Sequence, residues 1–246
     1  MTPDFITPTW PVPSHIKAIS TTRQRGFSLP PYASLNLGTH VGDDLAHVSK
    51  NRTWLEKQAL LPESPRWLEQ VHGDVIIDTQ AWSEGTQADA IMTTCVNHVC
   101  PIMTADCLPI LLCDAQGKQV AAIHAGWRSL AAGIVEKTLN KFSCAPNQII
   151  AWLGPAIGPS QFEVGHDVFK AFTLSSDTAA KAFQQTDDSH FLANIYLLAT
   201  QKLNQYGTQS VFGGKHCTVS EQDDFFSYRR DGITGRMATM IWIAPK

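Results

Sequence analysis

Three short segments set polar, metal-capable residues beside apolar runs: Gln70-Val71-His72-Gly73, Thr104-Ala105-Asp106-Cys107 and His124-Ala125-Gly126-Trp127-Arg128. A thiol and an imidazole brought together can ligate a divalent cation or act as a nucleophile and its base. The apolar runs at 110–113 and 120–123 read as the two strands of a hairpin. A turn at Ala115-Gln116 places Cys107 directly opposite His124, with Cβ atoms about 5 Å apart. A turn at Gln116-Gly117 places Cys107 opposite Gly126 instead, still in the same neighbourhood. In both registers one thiol and one imidazole share the open end of a hairpin.

A third donor would complete a Cys-His-His set, which leaves one tetrahedral position of a zinc ion open for water or substrate. His72 sits between a short apolar run and a glycine, where backbone can approach closely, but His40, His98 and His216 compete on composition alone. Two plainer arrangements stand beside metal ligation. One is a buried cysteine packed on a core histidine, and the other is a metal-free pair with Cys107 as thiolate and His124 as base. Asp106 is the acid nearest in sequence and a candidate to orient a histidine ligand.

Arginines supply the other recurrent chemistry. Arg128 stands where a strand passes into a helix, a ready place for an anion. Arg52 falls on the apolar stripe of an early helix, between Val48 and Leu55, where it calls for an acidic or anionic partner. Ser227-Tyr228-Arg229-Arg230-Asp231-Gly232 carries two arginines in a turn, of which at most one is expected to be functional. Gly154-Pro155-Ala156-Ile157-Gly158-Pro159 is a stiff loop that either walls a pocket or simply turns the chain.

These residues need a scaffold. Residues 16–22 read as a first strand, and 26–42 as a long Gly, Pro and Ser loop of the functional kind. Asp43 and Asp44 offer an N-cap for a helix to about Leu60, with Leu45, Val48, Leu55 and Ala59 as its buried stripe. Short apolar runs at 75–77, 90–92, 99–103, 108–113, 119–123 and 149–153 suit strands. Ser129 opens a helix to about Phe142, further helices are expected near 163–173, 177–184 and 191–205, and 237–243 reads as a closing strand. Strands cluster centrally without strict alternation with helices. The expectation is therefore an α+β fold, mixed β-sheets flanked by helices, in a single domain over 1–246.

Composition bounds the rest. The 246 residues are 43% hydrophobic and 17% charged, with seven Trp, which argues against disorder and allows a core that needs no disulfide staples. A net charge of −3 without a basic run makes nucleic acid a poor partner. No apolar stretch approaches the roughly 20 residues of a membrane span. Residues 1–15 lack the basic start and apolar block of a signal peptide, so a cytoplasmic setting with reduced cysteines is expected. No dimer face stands out, and a monomer fits the sequence. Neither GxGxxG nor GxxxxGK[ST] occurs.

Ordered along the chain, Ser34-Leu35-Asn36-Leu37-Gly38, Asn51-Arg52, Gln70-Val71-His72-Gly73, Ala88-Asp89-Ala90, Thr104-Ala105-Asp106-Cys107-Leu108-Pro109, His124-Ala125-Gly126-Trp127-Arg128, Gly154-Pro155-Ala156-Ile157-Gly158-Pro159 and Phe226-Ser227-Tyr228-Arg229-Arg230 resemble the YfiH family, formerly labelled a laccase-domain or polyphenol oxidase family. The match runs along nearly the whole chain. It departs at Ser129, where the family usually has Gly, and at Ser160-Gln161-Phe162, where it often has Cys-Cys-Tyr. The resemblance implies an α+β fold with mixed sheets and flanking helices. It implies a zinc site on His72, Cys107 and His124, which selects His72 among the four histidines and makes this trio the catalytic centre. Copper could enter by exchange.

The implied activity is phosphorolysis of the purine nucleosides adenosine, inosine, guanosine and methylthioadenosine, together with adenosine deamination. Purine nucleosides and phosphate are then the partners, with Arg52, Arg128 and Arg229 available to neutralise phosphate. Older or different readings of the family are copper-dependent phenol oxidation and editing of peptidoglycan precursors, and a zinc-stabilised binding protein without turnover is a further alternative. Nine scattered histidines without an HxH motif suit one small metal centre and not a multicopper array.

Overall fold

The structure is a computed structural model and describes residues 5–174 and 176–246. Its centre is a six-stranded sheet in the spatial order Ser210–Gly213, Ile149–Leu153, Leu108–Asp114, Val120–Ala125, Ala90–Thr93, Ile76–Asp78. The two outermost pairings are parallel and the inner three antiparallel, so the sheet is mixed. A four-stranded antiparallel sheet, Phe5–Ile6, Ile16–Thr21, Met237–Ile243 and Cys100–Thr104, lies against one face of it.

Alternation along the strands builds four layers. Ile110, Leu112, Ala121 and Ile123 face the helices Ile134–Leu139 and Ile195–Gln205, whereas Leu111, Cys113, Val120 and Ala122 face the second sheet. Within the strand Met237–Ile243, Ile241 and Ile243 face the six-stranded sheet, while Met240 and Trp242 turn to Leu35, Leu37 and Leu55 of the outer loop and helix. Both faces of the central strands are therefore covered, which is why they read as unbroken apolar runs and not as alternating ones. These features make an α+β fold of mixed and antiparallel sheets with helices.

The early helix runs Leu45–Gln58, with the Asp44 carboxylate accepting the Ala46 N–H as its cap. Leu45 is exposed, so the buried stripe consists of Val48, Asn51 and Leu55. Buried Asn51 donates to the carbonyls of Ser34 and Asn36 and accepts from Phe27 N–H, which packs the 26–42 loop onto the helix.

Four expected helices are shorter than their sequence implies. The stretch 129–142 divides into Trp127–Ala131 and Ile134–Leu139, because Gly133 takes a φ of 88° between them. Residues 163–165, 183–185 and 190–193 leave the expected helices to form a small antiparallel sheet, held by Phe169 stacked on Phe191 at 4.4 Å. Only His166–Thr173 and Ile195–Gln205 remain α-helical there, with a 3-10 helix at Asp177–Ala182. No helix of the described residues is long and apolar enough to cross a membrane.

A candidate metal centre at the seam of two sheets

The central hairpin settles the register. Pro109 pairs with His124 and Leu108 with Ala125, so Cys107 stands one step further on, opposite Gly126 and not opposite His124. The wider turn follows from the Asp114 side chain, which accepts the N–H groups of Gln116, Lys118 and Gln119 while Gly117 takes a φ of 67°. Cys107 also ends the crossover 105–107 that carries the chain from the edge of the four-stranded sheet into the six-stranded one.

His72, Cys107 and His124 converge there, with one potential ligand atom from each lying within 4.8 Å of the others. Cys107 Sγ is 3.8 Å from His72 Nε2. Two ligands 2.0–2.3 Å from one tetrahedral ion would stand about 3.5 Å apart. The imidazoles of His72 and His124 meet edge to face at 4.7 Å. His124 is buried and His72 exposed, so the group opens to solvent on one side.

Gly126 leaves the space between them. A Cβ on this residue would come within 3.0 Å of His72 Cδ2, 3.2 Å of Cys107 Sγ and 3.7 Å of His124 Cε1. A soft sulfur, two imidazoles and a cradle kept clear by glycine suit a borderline divalent cation of the zinc or copper kind. Among the described residues this is the one such cluster of three, so a multi-copper array finds no further ligand group here.

Asp89 organises the trio. It lies across from His124 on the neighbouring strand, where His124 N–H donates to the Asp89 carbonyl at 2.7 Å. Its fully buried carboxylate is also 2.7 Å from His124 Nδ1, which leaves Nε2 as the nitrogen that could ligate a metal. The same carboxylate accepts the N–H groups of Val71, His72 and Gly73 at 3.3, 3.0 and 2.6 Å. These bonds hold the loop in which His72 adopts a φ of 59°. Although burial opposes ionisation, the His124 and backbone bonds hold the Asp89 carboxyl below its usual range. Gln70 fixes the other end of this loop by exchanging two 2.8 Å bonds with the Met103 backbone.

The cysteines divide by environment. Burial pushes the Cys100 and Cys113 thiols up, as befits inert core residues. Burial also acts on Cys107, but the charge and hydrogen bonds of His124, with those of His72, outweigh it and pull this thiol down. His124 moves the opposite way: burial disfavours its charge, while Cys107 and Asp89 favour it more strongly. The thiolate is the form that ligates a metal.

The remaining candidates lie elsewhere or serve the framework. His98 Nδ1 bonds Thr79 Oγ1 and His216 Nδ1 bonds Glu221, while His40 is exposed on the outer loop. Asp106 orients no histidine: its carboxylate accepts from Thr218 Oγ1 and from Arg229 N–H, both at 2.6 Å. Among the described residues no carboxylate forms an ion pair with Arg52; it donates twice to the Leu37 carbonyl and lies 4.3 Å from the Trp67 ring. Burial lowers its pKa to about 10, with Glu56 opposing. Arg128 is exposed over the Trp127 ring at 4.3 Å, two residues beyond Gly126. Arg229 is exposed, with one side-chain bond to the Gln161 carbonyl, whereas Arg230 serves the fold through the carbonyls of Thr218, Val219 and Phe225. The 154–159 loop is pinned by Asp106 at Ile157 N–H and by the buried Tyr196 hydroxyl at Ala156 N–H.

Residue spacing alone does not point to Asp89. Its signal was an acid enclosed by Ala88 and Ala90 at the head of a buried strand, where only a satisfied carboxylate is tolerated.

Residues 17–244 match the family described as "Multi-copper polyphenol oxidoreductase laccase". The chain is 51% identical to a Shigella flexneri protein named purine nucleoside phosphorylase YfiH, over 97% of this chain and 98% of the relative. It is 48% identical to a Haemophilus influenzae protein named purine nucleoside phosphorylase, over 96% and 98% of the two chains. A solved Neisseria meningitidis structure superposes with a TM-score of 0.95 at 46% identity, covering 99% of this chain and all of that one.

Proposed function

The chain belongs to the laccase-type polyphenol oxidoreductase family that includes the YfiH proteins, and from that membership we propose that it is a zinc-dependent purine nucleoside phosphorylase acting as one domain in a reducing, cytoplasmic setting. The single observation that carries the proposal is the meeting of His72, Cys107 and His124 around the space left by Gly126, with exposed Arg128 two residues further along and exposed Arg229 bonded through its N–H to Asp106. Zinc, when bound to this trio, supplies a Lewis acid with one open coordination position.

The chain's own residues do the rest. Asp89 holds His124 by Nδ1 and fixes the His72 loop, so the ligands keep their place through turnover. Arg128 and Arg229, on segments adjoining the trio, bind inorganic phosphate and aim it at ribose C1′, and Arg52 adds positive potential from the helix Leu45–Gln58. Phosphate oxygen forms the new bond to C1′ as the C1′–N9 bond breaks, and the electron pair leaves with the purine, which takes up a proton. Adenosine, inosine, guanosine and methylthioadenosine share this glycosidic bond. Deamination would add water at adenine C6 and release ammonia, and a zinc ion held by His72, Cys107 and His124 would supply the activation of that water. Copper exchanged into this Cys-His-His site would supply redox chemistry toward phenols, in keeping with the family description.

The test is phosphate-dependent release of hypoxanthine from inosine by protein of measured metal content. Turnover that follows zinc occupancy, and vanishes without phosphate, is the expected result. Equal turnover by zinc-free protein overturns the proposal.

A further inference from the structure

Asp106, immediately before Cys107, has a φ of 96°, a backbone region that L-residues rarely adopt. All of its acceptors serve other segments. Oδ1 takes the Thr218 hydroxyl at 2.6 Å, Oδ2 takes the Arg229 N–H at 2.6 Å, and its carbonyl takes the Ile157 N–H at 2.9 Å. The carboxylate thus caps the helix Tyr228–Asp231 from a segment 123 residues away, next to the Ser227 hydroxyl that accepts Arg230 N–H. Both oxygens face donors, so the carboxylate acts here as an acceptor.

Arg229 itself is loosely held at its tip. Its guanidinium makes one 3.2 Å bond to the Gln161 carbonyl and lies 5.8 Å from the Phe162 ring, and the side chain is exposed. What ties Arg229 to the metal centre is its backbone bond to the residue preceding Cys107. We propose that Asp106 is a positioning residue that fixes Arg229 beside Cys107 and thereby sets the affinity for inorganic phosphate. The inference rests on the phosphate role given to Arg229 above.

Glycine tolerates the positive φ, so Asp106→Gly removes the carboxylate without new backbone strain. Asp106→Asn keeps one acceptor oxygen. The full-length, zinc-loaded proteins are compared in inosine phosphorolysis with phosphate varied, and phosphate binding is measured separately by calorimetry. Asp106→Gly is expected to raise the phosphate KM and Kd about tenfold, through loss of the charge-assisted bond to the Arg229 N–H, with Asp106→Asn between it and wild type. The expected changes in kcat and inosine KM stay within about twofold, since an interaction equal in ground and transition states moves KM alone. Zinc content stays at the wild-type level. Arg229→Gln weakens phosphate binding as well, and the double variant with Asp106→Gly is no worse than Arg229→Gln alone.

If Arg229→Gln weakens phosphate binding and both Asp106 variants leave it intact, the positioning role is overturned while the phosphate reading stands. If Arg229→Gln leaves phosphate binding unchanged, the phosphate reading itself falls. Loss of zinc from both Asp106 variants also overturns the proposal, because Asp106 would then be a support of Cys107. Should Asp106→Gly fail to fold, Asp106→Asn carries the test alone.

Discussion

Asp89 and His124 face each other across two neighbouring strands and are joined twice, backbone to backbone and carboxylate to imidazole, each at 2.7 Å. The same carboxylate collects three N–H groups from the loop of His72. One buried acid therefore sets the ring orientation of one member of the trio and the backbone of another. Asp89→Ala is expected to weaken zinc binding about 10- to 100-fold, the range typical of lost outer hydrogen bonds to a ligand. Competition with a chromophoric chelator measures it, and an unchanged affinity would count against the role of Asp89.

Cys107→Ala removes the soft donor of the trio. Zinc content by elemental analysis and hypoxanthine release should fall together to background. Phosphorolysis that survives without the metal would separate the two.

Gly126→Ala tests the cradle. The backbone here, at φ −59°, accepts alanine, so thermal stability should move by no more than about 1 kcal/mol. The new methyl group would meet His72 and Cys107 at 3.0 and 3.2 Å, so zinc affinity should drop by at least about tenfold. Melting curves and metal titration of the same preparation read both quantities.

Tyr196→Phe strips a buried hydroxyl that accepts the Ala156 N–H at 2.8 Å and donates to the His216 carbonyl at 2.7 Å. The stranded N–H in the 154–159 loop should cost about 1–3 kcal/mol in urea unfolding. Zinc stoichiometry should stay the same, because the loop contributes none of the three residues of the trio.

The layered core is legible in the sequence because strands covered on both faces are apolar throughout, as 108–113 and 149–153 are. The small sheet is not, since its strands are only three or four residues long and run into helices carrying the same aromatic residues. Gly133 splits a helix whose apolar spacing continues through it, so periodicity alone overlooks the break. At the site, hairpin geometry places Cys107 near the end of the His124 strand but leaves two registers. Asp114 chooses between them through side-chain bonds that spacing does not encode. His72 lies 35 residues from Cys107 and comes into view through family resemblance and not through local pattern. The partner of Arg52 is a carbonyl and an aromatic face, and no charge count points to either.

The crossover 105–107 is where the chain leaves one sheet for the other, and Gln70 binds the His72 loop to the edge of the first sheet while His124 belongs to the second. An ion gripped there acts as a rivet through both plates. Because unfolded chain offers no such grip, loading should lift the melting temperature of the whole molecule by mass action and not merely stiffen one corner. Scarcity of the metal would then thin out the folded population as well as silence turnover.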